Sequence, residues 1–262
     1  MTKKIQTTKT MSDGQLSDAL LHAAHKMLTG QSVTKRVTSL CRQMTASKDK
    51  SPPFCFVDDN CGWLSCPRCR SRIQREFMLK MLPVINAPDH NSTWKSISII
   101  PSFGKTMVGE LPKGGVRGFK DQISAAIRKS DPNVRSVMCV DISLERRLGQ
   151  QEYWQWHVHG VICNLKLSTK KRLSERFSGD KKDGNDRTCY RPVFVTDMPD
   201  PVGCLAYMAK PEFFKREQCV DEQGKLKIVK KYITIQQELP FIKALSPFKA
   251  SQRLFYIAME AL

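Results

Sequence analysis

Residues 134–163 constrain the fold more than any other stretch of the chain. They contain two runs of alternating apolar and polar residues, 134–145 and 153–163, joined by a turn at 146–152 that contains Gly149. Successive side chains of a strand point to opposite faces, so a two-residue period both signals β-structure and assigns each residue to a face. In the first run Met138, Val140, Ile142 and Leu144 share an apolar face, and Asp141, Ser143 and Glu145 share the other. In the second run Trp154, Trp156, Val158 and Ile162 are apolar together, while Gln155, His157 and His159 lie opposite. Folding the pair about Gly149 and Gln150 brings equal parities face to face. Both apolar faces then enter a core, which is where Trp154 and Trp156 belong. The polar faces coincide, with Asp141 expected close to opposite His159 and Glu145 nearer the turn. Two of the chain's five histidines, one residue apart beside an acidic strand, suit a divalent metal with open coordination positions. Asp141 is the expected third ligand, with Glu145 as the alternative. Cys139 and Cys163 fall on the same face.

The flanking pattern fits an α+β fold, an antiparallel sheet flanked by helices. Helices are expected at 70–85, at 119–129 before Asp131-Pro132, and at 167–177. Strands are expected at 94–100, ended by Pro101, and at 190–196. Asp200-Pro201 opens a helix running to Lys210, since proline in a first helical turn gives up no hydrogen bond. A charged hairpin-like stretch follows Cys219, then a strand at 232–235 and a C-terminal helix. The expected organisation is a basic arm at 1–50 with a helix at 16–28, a Cys-rich segment and helix at 51–90, a catalytic domain at 91–215, and an extension at 216–262.

Lys and Arg number 43 against 25 Asp and Glu in 262 residues, a formal charge of +18. Such a field attracts polyanions, nucleic acid first among them. No apolar run reaches the roughly 18 residues of a membrane span, and no apolar segment follows Lys3 and Lys4 as a secretory signal requires. A cytoplasmic chain with no membrane partner is therefore expected. In a reducing compartment ten cysteines suggest metal binding over disulfides. Cys55, Cys61, Cys66 and Cys69 are spaced C-x5-C-x4-C-x2-C, and a C-x2-C turn suits tetrahedral zinc. Cys41 or His90 could replace Cys55 as the fourth ligand. Such a staple would deliver Arg68, Arg70, Arg72 and Arg75 to a phosphate backbone.

On the helix after Pro201, Tyr207 and Lys210 are three residues apart and share a face, while Val202, Leu205 and Ala209 can dock on a sheet. His-hydrophobic-His on a strand followed by Tyr-x-x-Lys on a later helix resembles the HUH endonucleases. The closest likeness within them is to the single-tyrosine Rep proteins of rolling-circle plasmids. The resemblance rests on WKSISIIPS (94–102), CVDISLE (139–145), WHVHGVI (156–162) and LAYMAKP (205–211), with CGWLSCPRCRSR (61–72) similar to the Cys-rich segment preceding many such cores. It implies a ferredoxin- or RRM-like core with His157, His159 and Asp141 holding Mg2+ or Mn2+. It implies Tyr207 as the nucleophile on single-stranded origin hairpin DNA, giving a 5′-phosphotyrosine link, with Lys210 steadying phosphate or phenolate. Host helicase and polymerase would be further partners. Where some relatives carry a glutamate one turn before the tyrosine, this chain has Gly203. Glu212, or a second tyrosine such as Tyr190 or Tyr232, could serve termination instead. Transposases and relaxases use the same residues, and a zinc-stapled, non-catalytic DNA-binding protein is the rival from another class.

Overall fold

The computed structural model describes residues 61–87, 92–178 and 191–259. The expected helix at 16–28, and Cys41, Cys55, His90 and Tyr190, lie outside the described residues.

Among the described residues the first helix is α1 (Pro67–Asn86), started by Pro67 behind Cys66, and strand β1 (Trp94–Ile99) follows. The short strand β2 (Lys105–Met107) and helix α2 (Gly115–Ser130) precede the long pair β3 (Arg135–Arg146) and β4 (Tyr153–Cys163). Helix α3 (Leu167–Phe177), strand β5 (Val193–Asp197) and helix α4 (Pro201–Met208) follow. A hairpin of β6 (Phe214–Val220) and β7 (Leu226–Tyr232) leads to helix α5 (Ile235–Leu245) and strand β8 (Leu254–Ile257). The expected strand at 232–235 is corrected. Thr234 accepts from the backbone of Gln237, whose side chain reaches back to the Thr234 amide. That capping box starts a helix where β-propensity suggested a strand.

The fold is α+β, with the strands in the order β5-β1-β4-β3-β6-β7. β2 adds to β4, and β8 adds to β3. β6 runs parallel to β3 whereas the other pairs are antiparallel, so the sheet is mixed and the purely antiparallel expectation is corrected. Helices cover both faces. On one face Trp154, Trp156, Met138, Val140 and Ile142 pack with Phe119, Ile123 and Ile127 of α2, Leu173 of α3 and Phe241 of α5. Phe241 stacks between Trp154 and Phe213, at 4.3 and 4.8 Å between ring centroids. On the other face Val137, Cys139 and Val161 pack under Phe77, Met78 and Met81 of α1 and Leu205 and Met208 of α4. The expected polar face is thus half covered by an apolar lid, and Cys139 belongs to that second core.

Two features fix this face closely. A Cβ on Gly160 would lie 2.7 Å from the Val137 carbonyl oxygen, so only glycine lets β3 and β4 approach here. The far edge of β3 is shared, with β8 pairing at Ser136–Cys139 and β6 at Ser143–Arg146. Arg253 fills the gap between them, donating from Nε to the Val140 carbonyl at 2.9 Å.

Candidate metal and nucleophile site

The β3–β4 register places Asp141 opposite His157 and Cys139 opposite His159, with Gly149 at positive φ in the connecting turn. The expected partner, His159, is therefore displaced by two residues. An even slip leaves every face unchanged, so the convergence survives. Asp141 Oδ2 lies 3.1 Å from His157 Nε2 and 3.6 Å from His159 Nε2. One ligand atom from each of the three residues falls within 4.8 Å of the others. Glu145 does not join them. Ser143 Oγ donates to it at 2.7 Å, and Arg147 and Arg216 pair with it, so it serves its own buried network nearer the turn.

The hydrogen bonds determine what this triad can hold. His157 Nδ1 lies 2.9 Å from the Gln155 carbonyl oxygen, which only accepts, so the imidazole hydrogen sits on Nδ1. The Nε2 lone pair of the neutral ring then faces a carboxylate oxygen. His159 has Nδ1 at 2.8 Å from Ser98 Oγ, a hydroxyl that can donate or accept, and a buried Nε2 that has no hydrogen-bond partner. Protonation does not relieve the facing lone pairs. Burial pushes the His157 pKa down to about 4, and burial, with the repulsion that a second charge beside His157 would meet, pushes His159 well below its ordinary value. A cation between the rings and the carboxylate does relieve them. Two imidazole nitrogens and a carboxylate, each ring fixed from behind at Nδ1, form the donor set of a divalent-metal site.

Two basic side chains meet the same carboxylate. Lys210 Nζ pairs with Asp141 Oδ2, and Arg253 Nη2 lies 3.6 Å from Oδ1. Arg253 also donates from Nη1 to the Lys210 carbonyl at 3.0 Å. Burial, with Arg253 and Lys230 nearby, pushes Lys210 well below the usual lysine range. Arg253 was not anticipated: it lies over a hundred residues from Asp141, and no local spacing marks it.

Tyr207 completes the site from α4. Its ring lies 5.0 Å from that of His159, edge to face, and Lys210 Nζ lies 4.9 Å from the Tyr207 ring centre. The expected meeting of Tyr207 with Lys210 therefore holds, although Lys210 sits just beyond the helix end. Tyr207 is 42% exposed, and burial of the rest pushes its phenol up. The side chains border a cleft of about 300 Å³ that Ser98, Phe194, Phe214, Arg216 and Lys230 also line. Asp200 accepts from the Gly203 amide at 2.9 Å, and a Cβ on Gly203 would collide with that carboxylate. A side chain at 203 would have to displace the Asp200 carboxylate that caps the helix. Glu212 lies within electrostatic reach of Lys210 and Lys230. Tyr232 packs on Phe214 at 5.2 Å.

At the head of α1, Cys61, Cys66 and Cys69 bring their sulfurs within 4.8 Å. Cys61 Sγ and Cys69 Sγ are 3.5 Å apart, well beyond a disulfide bond of about 2.05 Å. The Gly62 amide donates to Cys69 Sγ at 3.2 Å, as a thiolate in a metal knuckle requires. Of the arginines assigned to DNA, Arg75 is exposed, Arg68 is half-buried, and half-buried Arg72 pairs with Glu76 at 3.2 Å. Arg70 is corrected. It is 1% exposed and fully engaged, donating to the carbonyls of Pro211, Leu64 and Ser65, pairing with Glu238 and lying over the Phe213 ring. Its role is internal. Together with Gln74, which donates to the Ala206 carbonyl at 2.7 Å, it ties α1 to the backbone on either side of Tyr207–Lys210.

Among the described residues no helix is long and apolar enough to cross a membrane. Compared with protein-family models, curated proteins and solved structures, the chain matches none.

Proposed function

We propose that this chain is a metal-dependent, DNA-nicking initiator of rolling-circle replication of the HUH type, built on a ferredoxin- or RRM-like core. The observation that carries the reading is the convergence of Asp141, His157 and His159 with Tyr207 and Lys210 on one cleft. A non-catalytic binding module has no need of a carboxylate facing paired, buried, neutral histidines, nor of an accessible tyrosine against them.

Asp141, His157 and His159 would hold Mg2+ or Mn2+, which when bound supplies Lewis-acid stabilisation of a phosphate oxygen. Tyr207 attacks the scissile phosphorus of single-stranded DNA. The bond from its Oη to phosphorus forms as the bond to the 3′-oxygen breaks. The phenolic proton passes to solvent and the departing 3′-oxygen gains one, leaving a free 3′-hydroxyl and a 5′-phosphotyrosine. Lys210 sits where its ammonium can move from the carboxylate to the phosphate or the developing phenolate. Cys61, Cys66 and Cys69, with Cys55 as the expected fourth ligand, would hold structural Zn2+. The excess of basic residues supplies salt-dependent grip on the DNA.

The test is nicking of a supercoiled plasmid that carries the gene and its flanking sequence. The expected result is cleavage that EDTA abolishes and added Mg2+ or Mn2+ restores, with protein attached to the 5′ end. Tyr207→Phe should remove both nick and adduct. Unimpaired attachment by that variant would refute the nucleophile assignment.

A further inference from the structure

The mechanism uses only part of the face on which Asp141 lies. The β3–β6–β7 register aligns Ser143 with Phe214 and Tyr232, and Glu145 with Arg216 and Lys230. These residues share the sheet face of Asp141, two and four positions along from it. The apolar residues of α1 and α4 cover the other end of this face, and Tyr207 of α4 borders the hairpin at Lys230. Tyr232 is 70% exposed there, and Ile228 and Leu226 continue the row as exposed apolar side chains. β7 ends the strand order, so among the described residues no strand lies beyond it.

Charge divides the hairpin by face. On the back, Lys231 and Lys215 are paired with Glu217, and Lys215 also with Glu152. On the front, Lys230 has no carboxylate within ion-pair distance among the described residues. Its Nζ sits 3.8 Å from the centre of the Phe214 ring and 5.0 Å from that of Tyr207. Arg216, beside it, also lines the cleft and shares the single carboxylate of Glu145 with Arg147, two cations on one anion. The front row is thus aromatic rings interleaved with cations, leading directly away from the nucleophile.

We infer that the front of the β6–β7 hairpin is a single-stranded DNA track, with Phe214 and Tyr232 stacking a base and Arg216 and Lys230 holding phosphates next to the scissile bond. The inference rests on the nicking reading for its polarity toward Tyr207, but its chemistry stands on the row itself. Flat apolar rings interleaved with a net excess of positive charge, from Lys230 and from the two guanidiniums that share Glu145, match unstacked bases and a phosphate backbone. A duplex keeps its bases stacked on one another and cannot use the rings.

The experiment uses the full chain carrying Tyr207→Phe, in EDTA, with a fluorescein-labelled single-stranded 20-mer read by anisotropy. Adding Tyr232→Ala should weaken binding by about 5- to 150-fold, the range for one stacked base, while Tyr232→Phe should keep it. Adding Lys230→Gln should lower the salt slope by about 0.7 for each phosphate that is no longer neutralised. Unchanged melting temperatures exclude unfolding, since both side chains are exposed. Wild-type-like affinity and salt slope in Tyr232→Ala and Lys230→Gln would overturn the track, and would leave a protein partner as the occupant of this face. The two readings fail separately. Loss of binding in the hairpin variants of a chain that never nicks would sink the enzyme and keep the track. Normal nicking with no hairpin effect would do the reverse.

Discussion

Acidification of the metal-free protein should expose the cost of burying His157 in its neutral form. In the folded chain burial holds this imidazole at about 4, against an ordinary 6.5. Above pH 6.5 neither folded nor unfolded chain protonates it, and the residue contributes no pH dependence. As pH falls from 6.5 towards 4, the unfolded chain takes up a proton that the folded chain refuses, so stability declines across that window. The gap, 6.5 − 4, corresponds to ~3 kcal/mol once pH is below both values, and to about 2 kcal/mol by pH 5. The measurement is urea denaturation in EDTA at pH 7, 6 and 5, for wild type and His157→Asn. Asparagine retains a donor near the position of Nδ1, which faces the Gln155 carbonyl, but does not titrate. Wild type should lose about 2 kcal/mol more than the variant between pH 7 and pH 5. At pH 7, Mn2+ at a hundred times its dissociation constant should add about 2.7 kcal/mol to wild type and far less to the variant. Parallel pH profiles for the two proteins would mean that His157 is not held neutral, and a cation between its Nε2 and Asp141 would no longer be called for.

Three other outcomes can be checked. Arg70→Met should destabilise the fold by about 3–5 kcal/mol in urea titration, because the buried ion pair with Glu238 and the bonds to the Pro211, Leu64 and Ser65 carbonyls are lost together; a change under about 1 kcal/mol would show that Arg70 does not tie these segments together. Gly160→Ala should cost at least about 1–3 kcal/mol, the usual penalty of overpacking, and lower metal affinity at His159 by disturbing the β3–β4 approach. Purified protein should carry one zinc per chain by elemental analysis, lost in Cys66→Ser; retention of a full equivalent by that variant would remove Cys66 from the ligand set.

Much of the site was legible because it depends on parity. The two-residue period of 134–163 put Asp141, His157 and His159 on one face whatever the turn, and the helix behind Pro201 brought Tyr207 and Lys210 as a unit. Register was not legible. Arg146 to Glu152 can turn in more than one way, and residue types do not choose between Asp141 facing His157 and facing His159. Long-range partners were invisible for a different reason. Arg253 reaches Asp141 through a gap left by two strands that arrive from distant parts of the chain, and Arg70 looks like its neighbours Arg68 and Arg72 until the fold closes over it. The parallel attachment of β6 was equally unmarked, since a charged strand reads alike beside either edge.

The divided edge of β3 also bears on when, during synthesis of the chain, the geometry of the site is completed. Ser136–Cys139 wait for Leu254–Ile257, and the Asp141 carboxylate waits for Arg253. A nascent chain emerging from the ribosome can make the Asp141–His157–His159 cluster early, but has no means of locking it until more than ninety further residues have followed His159. Pairings of such sequence separation form late and slowly. A chain interrupted before Arg253 would carry the histidines and the tyrosine without the brace behind them, so the finished geometry of the cluster depends on residues that are made long after its ligands.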